Sequence, residues 1–341
     1  MSTVAKDNRS VASAFGRLAR RPEAGSFLGM IIVFAFFAVL GGKVFVGAPG
    51  FSSWLNTAAE VGIIALPVGL LMIAGELDLS VGSVIPASSL TVAIISGHYD
   101  APEAIGILAG LGVGLLVGFV NGYLVTRTNI PSIIVTIGTM FGVMGLTLGF
   151  TVMIAGSTGV FIVPDPVTKA VLGQFVGGMF QVTMFWWAGF IVVIYYLLHI
   201  SHYGNWIYAI GGDRESARNA GIPTRKLTTG LFMLSGFAAA FVGVSQVLTY
   251  QSAQVLTGQA FIFNSIMCVV IGGVLLTGGA GSVVGIVFGT LTFSIVNQGI
   301  FFSGLDPNIG SVIIGALLLI AVLTNDSFRK MALSYVARKR S

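Results

Sequence analysis

The residues of this sequence that could do chemistry are carboxylates, amides and hydroxyls set among long apolar runs. The densest group is Ala74-Gly75-Glu76-Leu77-Asp78-Leu79-Ser80-Val81-Gly82-Ser83, which joins two apolar runs with almost no loop. Glu76 and Asp78 stand two residues apart, a spacing that turns them to different sides of a helix, so they do not form a shared acid–base pair. Asp78, with Ser80 or Ser83, offers the side-chain oxygen that satisfies free amides at a helix start. A broken segment lining a path across a membrane is the functional reading of the same residues, and the two are compatible. Uncharged polar groups recur elsewhere within or near apolar runs, at Asn121, Gln246, Tyr250, Gln251, Gln254, Asn264, Asn297 and Gln298. Such donors and acceptors suit a neutral hydroxylated solute, or else hydrogen bonds between helices. Asp78, Ser80, Asn121, Gln246, Tyr250, Asn264, Asn297 and Gln298 are the candidate lining of a solute path.

Other chemistries find no support. There is no chain of buried acids and bases for a proton relay, and Glu60, near the end of an apolar run, can reach water. His98, His199 and His202 stand near the ends of apolar runs, and Cys268 is the single cysteine, which rules out an internal disulfide and argues against a metal site. No nucleophile–base constellation marks an enzyme. No Gly-x-x-x-x-Gly-Lys-Ser/Thr pattern is present, so energy from ATP would have to come from another chain.

The elements that must position these groups are membrane helices. Of 341 residues, 55% are hydrophobic and 9% charged, against about 25% charged in a soluble domain. Hydropathy predicts an all-α polytopic membrane protein with about ten spans, at 26–46, 56–75, 79–97, 104–125, 131–154, 184–200, 227–250, 261–277, 282–302 and 309–325. A polar, basic tail over 1–25 does not read as a cleaved leader. The membrane domain covers 26–325, with a polar connection at 201–226, and a basic tail follows at 326–341. With the N-terminus inside, fifteen of the seventeen lysines and arginines fall on the cytosolic side and only Lys43 and Lys169 outside. That bias predicts both termini in the cytosol. The net charge of +5 is thus a matter of topology and the lipid bilayer, not nucleic acid. The outer connection 155–183, with Pro164, Pro166 and an apolar run, reads as a short segment lying along the membrane surface.

Glycine ladders suggest how the helices pack. Gly106, Gly110, Gly114, Gly118 and Gly122 recur every four residues, and Gly281, Gly285 and Gly289 repeat the theme. Small residues on one face let another backbone approach closely. Gly138, Gly142, Gly145 and Gly149 mark the fifth span. Asn121-Gly122 ends one ladder and Asn297-Gln298-Gly299 follows another, on spans of opposite direction. Two inverted four-helix units, spans 2–5 and 7–10, would produce this.

In the connection 201–226, Gly211-Gly212 interrupts the chain, Asp213 can cap, residues 214–220 favour a helix and Gly221 stops it. A short helix on the cytosolic face suits docking to a partner. At these residues the sequence resembles the membrane subunits of bacterial ATP-binding-cassette sugar importers, the group containing the ribose, xylose, arabinose and galactose permeases. Three patches carry the resemblance. The first is Gly75-Glu76-Leu77-Asp78-Leu79-Ser80-Val81-Gly82-Ser83. The second is Tyr208-Ala209-Ile210-Gly211-Gly212-Asp213 continuing to Gly221-Ile222, and the third runs from Gln251-Ser252-Ala253-Gln254 through Gly272-Gly273 to Gly278-Gly279-Ala280-Gly281. Asn121-Gly122 and Pro131-Ser132-Ile133 also fit, so the likeness follows nearly the whole chain in order.

The resemblance implies ten helices per subunit in a type II importer-like arrangement, in the bacterial cytoplasmic (inner) membrane. It implies a second permease copy as homodimer partner, a separate ABC ATPase subunit holding ATP and Mg, and a periplasmic substrate-binding protein; this chain itself would hold no cofactor or metal. It assigns ATPase coupling to Gly211, Gly212, Asp213, Arg214, Glu215, Ala217 and Gly221. The sequence departs from the ribose type where Phe261-Ile262-Phe263-Asn264-Ser265 replaces a segment with a Glu and an Asp, and in the additional Glu76. A related sugar, a deoxy sugar or a polyol therefore fits better than ribose itself. The same machinery moving a nucleoside, a sugar-like signal or a small amide is the nearest alternative. An ATP-independent facilitator and a membrane enzyme or scaffold are further ones.

Overall fold

A computed structural model describes residues 23–304, 306, 312–313 and 315–316. Eight helices among them are long and apolar enough to cross a membrane, which makes the chain an all-α polytopic membrane protein. In chain order these are α1 (Glu23–Leu40), α3 (Ala48–Ile73), α4 (Val81–Val92, extended by a π turn to His98), α5 (Glu103–Arg127), α6 (Ser132–Ala155), α8 (Thr183–Tyr195, extended by a π turn to Ile200), α11 (Thr224–Tyr250) and α13 (Val283–Phe302). The short α2 (Gly42–Val46) links the first two. The ninth predicted span corresponds to α13 and the eighth to α12 (Gln259–Ile271). The tenth, 309–325, lies outside the described residues but for four positions, as do residues 1–22 of the N-terminal tail and all of 326–341.

Several boundaries differ from the hydropathy reading, and two of them have a clear local reason. Helix α3 begins at Ala48 because Pro49 sits in its first turn, where a missing amide costs nothing. Helix α12 stops at Ile271 rather than 277, although the apolar run continues. Gly273, Gly278, Gly279 and Gly281 all take positive φ in the stretch that follows, and a helix cannot pass through such residues. At 13 residues, α12 is about 20 Å long, short of a bilayer core of about 30 Å.

The connection 155–183 holds β1 (Gly159–Phe161), the short helix α7 (Pro166–Leu172), β2 (Phe175–Val176) and β3 (Phe180–Gln181). Strand β1 pairs antiparallel with β4 (Ser252–Gln254), Val160 opposite Ala253, and β2 pairs with β3. Asp165 caps α7 through the amide of Val167, and Glu103 accepts from Thr168 and from the amide of Asp165, which ties this connection to α5.

Helices α3, α4 and α11 form the buried centre, while α1, α5 and α6 lie at the perimeter with most of their surface outward. The first glycine ladder brings α5 onto α11: Gly114 faces Gly236, Gly118 faces the Phe232 carbonyl, and a Cβ at Gly122 would come within 2.6 Å of Thr229 Cα. The second brings α13 onto α12, with Gly285 against Gly272 and Gly289 against the Cys268 carbonyl. The contacts also exchange in pairs. Helix α3 packs on α13 and α11 on α5; α4 packs on α5 and α12 on α13; α4 packs on α11 and α12 on α3. Swapping one group of helices for the other preserves that pattern, as two related units would.

Because Gly118 meets backbone and, among the described residues, Gly142 meets open space, valine at the two positions should behave differently. Gly118→Val should force α5 from α11 and remove most of the folded protein. Gly142→Val should leave it intact. Detergent-extracted, fluorescently tagged protein on size exclusion reads this directly, and equal monodisperse yields would contradict the packing described here.

Candidate functional site

The polar side chains gather in three places. The first is a cavity of about 340 Å³ bounded by the first half of α3, the β2–β3 turn, the end of α11, the start of α12 and the end of α13. Glu60 of α3 lines it. Its carboxylate accepts from Gln246 Nε2 at 2.8 Å and from the Tyr250 hydroxyl at 3.1 Å. Gln181 Nε2 donates to the same hydroxyl at 2.9 Å, and the Gln181 amide donates to Asn56 Oδ1 at 2.9 Å. Asn56 Nδ2 in turn donates to the Met179 carbonyl at 2.8 Å. The β2–β3 turn is thereby stitched to α3 and α11. On the far wall, Asn264 and Asn297 face the cavity with Phe261 and Phe293. Behind them Gln298 accepts from Ser53 at 2.6 Å and donates to Thr57 at 3.0 Å, which fixes α13 against α3.

The second is a closed cluster under the turn between α3 and α4. Asp78 Oδ1 accepts from the Ser80 amide at 3.0 Å and the Ser80 hydroxyl at 2.6 Å, while Oδ2 accepts from Ser235 of α11 at 2.8 Å. Asn121 of α5 donates to Ser80 Oγ at 2.8 Å. Asp78, Ser80, Asn121 and Ser235 are all buried. Asp78 holds the amide two residues on, within the turn, rather than an amide inside α4, whose first residue is Val81. The cluster joins the α3–α4 turn to α5 and α11.

The third is a junction at the opposite end of the bundle from the cavity. Helix α9 (His202–Gly212) leads to Asp213, whose side chain accepts from the Ser216 amide at 2.5 Å and caps α10 (Arg214–Asn219). That amide holds the Asp213 carboxyl below its ordinary range. Gly221 takes φ +85 and ends the segment. Arg214 forms an ion pair with Glu76 and donates to Thr228 of α11 at 2.8 Å. Gly211 packs on the Ile73 carbonyl, the Gly279 amide donates to that carbonyl at 2.8 Å, and Tyr208 donates to the Gly281 carbonyl at 2.7 Å. The segment thus touches the α3–α4 turn, the 272–282 loop and α11 together. Ala217 is its buried anchor, while Gly212, Asp213, Glu215 and Gly221 are exposed.

Of the residues singled out in the sequence, Tyr250, Asn264 and Asn297 line the cavity, and Gln246 and Gln298 brace it from behind. Asp78, Ser80 and Asn121 are not among its lining residues and form the closed cluster instead. Sequence reasoning missed Glu60, Asn56 and Gln181 as members of one site. For Glu60 a signal existed, because it is the only charged residue between Lys43 and Glu76. Gln181 carried none, since an amide in a connection between spans is ordinary. Among the described residues no group of three His, Cys, Asp or Glu gathers to hold a metal ion.

A family model described as "Branched-chain amino acid transport system / permease component" matches residues 50–322. The chain is 32% identical to the fructose import permease protein FrcC of Rhizobium meliloti, over 91% of this chain and 87% of that one. It is 30% identical to the autoinducer 2 import system permease protein LsrD of Photorhabdus temperata, over 77% of this chain and 79% of that one. It is 27% identical to the ribose import permease protein RbsC of Escherichia coli strain K12, over 89% and 94%. No solved structure matches. A family match that runs from the second residue pair of α3 past the end of α13 takes in the cavity, the closed cluster and the junction alike, and it places this chain in the transport-system permease-component family, as a transporter subunit and not an enzyme.

Proposed function

We propose that this chain is the membrane subunit of an ATP-driven, binding-protein-dependent importer for a monosaccharide or similar polyhydroxylated solute. The observation that carries the proposal is the junction: an exposed, capped α10 whose one buried residue and one ion pair tie it to the α3–α4 turn and the bundle. The named relatives import fructose, autoinducer 2 and ribose, which favours a sugar. The family description names branched-chain amino acids, but among the described residues no Lys, Arg or His lines the cavity to meet an amino acid's carboxylate.

In this reading ATP and Mg are held by a separate ABC ATPase, a periplasmic protein delivers the solute, and both termini and the junction face the cytosol of a bacterial inner membrane. ATPase closure presses on Asp213–Gly221. Gly211 and Arg214 pass the displacement to the α3–α4 turn and the 272–282 loop. A second copy of the chain completes the path across the membrane. Native mass spectrometry of the gently extracted complex should show two copies of this chain with two ATPase subunits; two different membrane subunits would count against the homodimer.

The coupling role is testable by crosslinking. Cys268 is the single cysteine and is buried, so Glu215→Cys introduces the only accessible thiol. In native membranes it should crosslink to the co-expressed ATPase, and uptake of labelled monosaccharide should require that ATPase. Uptake that proceeds without any ATPase, together with no crosslink, would leave a facilitator instead.

A further inference from the structure

We infer that the Glu60 cavity is a solute-binding subsite built within a single copy of this chain, selective for neutral polyhydroxylated rings over anionic or zwitterionic solutes. The inference rests on the importer reading above and goes further by giving this chain a recognition site of its own.

The free hydrogen-bonding capacity of the cavity is mixed and converges. A carboxylate has about four lone-pair sites, and Gln246 and Tyr250 occupy two on Glu60. The remainder can accept from solute hydroxyls. Gln181 is 4% exposed, yet among the described residues nothing donates to its Oε1. A buried carbonyl oxygen left unmatched is costly, and the side chain that carries it forms part of the cavity wall. Opposite stand Asn264, whose side-chain amide makes no hydrogen bond to another described residue, and Asn297, whose Oδ1 accepts from Gln298 while its NH₂ is free to donate. Acceptors on one wall and amide donors on the other complement a ring of hydroxyls, each of which both donates and accepts. Phe261 and Phe293 supply the apolar surface that a sugar's C–H face needs. The volume of about 340 Å³ falls at the small-molecule end of the usual pocket range of about 300–1,000 Å³.

The charge pattern sets the selectivity. With no lining cation among the described residues, a sugar phosphate would bring its charge into the cavity without compensation. A zwitterionic amino acid would find no side-chain cation for its carboxylate. A neutral polyol meets neither penalty.

The test is equilibrium binding of radiolabelled D-fructose and D-ribose to the full-length chain in lipid nanodiscs. Saturable binding of at least one sugar is expected, with Glu60→Gln weakening it tenfold or more and Asn264→Ala threefold or more. Asn264 is the safer variant for folding, because its side chain holds no other element in place. D-Fructose 6-phosphate and L-leucine should not compete at tenfold excess over the sugar. Absence of saturable binding for both sugars, binding unchanged in both variants, or displacement by leucine would each overturn the inference. ATP-dependent uptake in whole cells separates the two readings. If sugar uptake persists while these binding results fail, the subsite is wrong and the importer stands. If sugar uptake itself is absent, the importer reading has failed.

Discussion

Asp78→Ala is expected to destabilise the folded protein by about 2–4 kcal/mol, because three donors lose their acceptor at a site closed to water. The donors are the Ser80 amide, the Ser80 hydroxyl and the Ser235 hydroxyl. The hydroxyls can rotate towards other acceptors, but the Ser80 amide is fixed by the turn. Asn121 hangs on Ser80 in turn, so the loss spreads from the α3–α4 turn to α5 and α11. Asp78→Asn should retain most of the stability. Its carbonyl oxygen still accepts from the Ser80 amide, and its NH₂ can donate to Ser235, whose hydroxyl turns to accept. Thermal unfolding in nanodiscs, read by intrinsic tryptophan fluorescence, should rank wild type above Asp78→Asn and Asp78→Ala well below both. An alanine variant that melts with the wild type would show that the cluster is not a structural lock and would return Asp78 to the list of path residues.

Gly211→Val is expected to abolish solute uptake, by tenfold at least, and to leave ATP hydrolysis by the complex uncoupled from it. A Cβ at this position would fall on the Ile73 carbonyl and 2.6 Å from the Gly279 amide. These are the two groups whose 2.8 Å hydrogen bond closes the junction. Neither is a flexible side-chain end, so the backbones must part. The added side chain also forces α9 away from Glu76, weakening the ion pair to Arg214. Gly230 of α11 is the internal control, since among the described residues a Cβ there meets nothing within 4 Å; Gly230→Ala should transport normally. Proteoliposomes carrying the complete complex allow uptake and phosphate release to be followed side by side. Normal uptake by Gly211→Val would remove the junction from the coupling path, and loss of both activities with loss of folded complex would assign the contact to folding alone.

Much of the frame was legible in the residues. Nine of the predicted spans have helices at their positions among the described residues, because a long apolar run in lipid has few ways to satisfy its backbone other than a helix. The close-packing face of α5 was written in a four-residue glycine spacing, though not that α11 would meet it. The cap of α10 by Asp213 and its end at Gly221 followed from residue type alone. Each of these depends on neighbours a few positions away, and a single sequence carries such information directly.

What only the tertiary structure decided is which polar groups meet. Glu60 and Gln246 are separated by 186 residues, Glu60 and Tyr250 by 190, and Asn56 and Gln181 by 125. Hydropathy places each of these residues in depth but not in azimuth, so it could not divide the candidate polar residues into a cavity lining and a closed cluster. The same limit applies to α12, where continuous hydropathy concealed the turn that four positive-φ glycines impose. Sequence by itself determined the class of the protein, its helices and the faces along which they pack. The site exists only because the packed bundle turns those helices so that a carboxylate from α3, a phenol from α11 and two amides from α12 and α13 open onto one cavity.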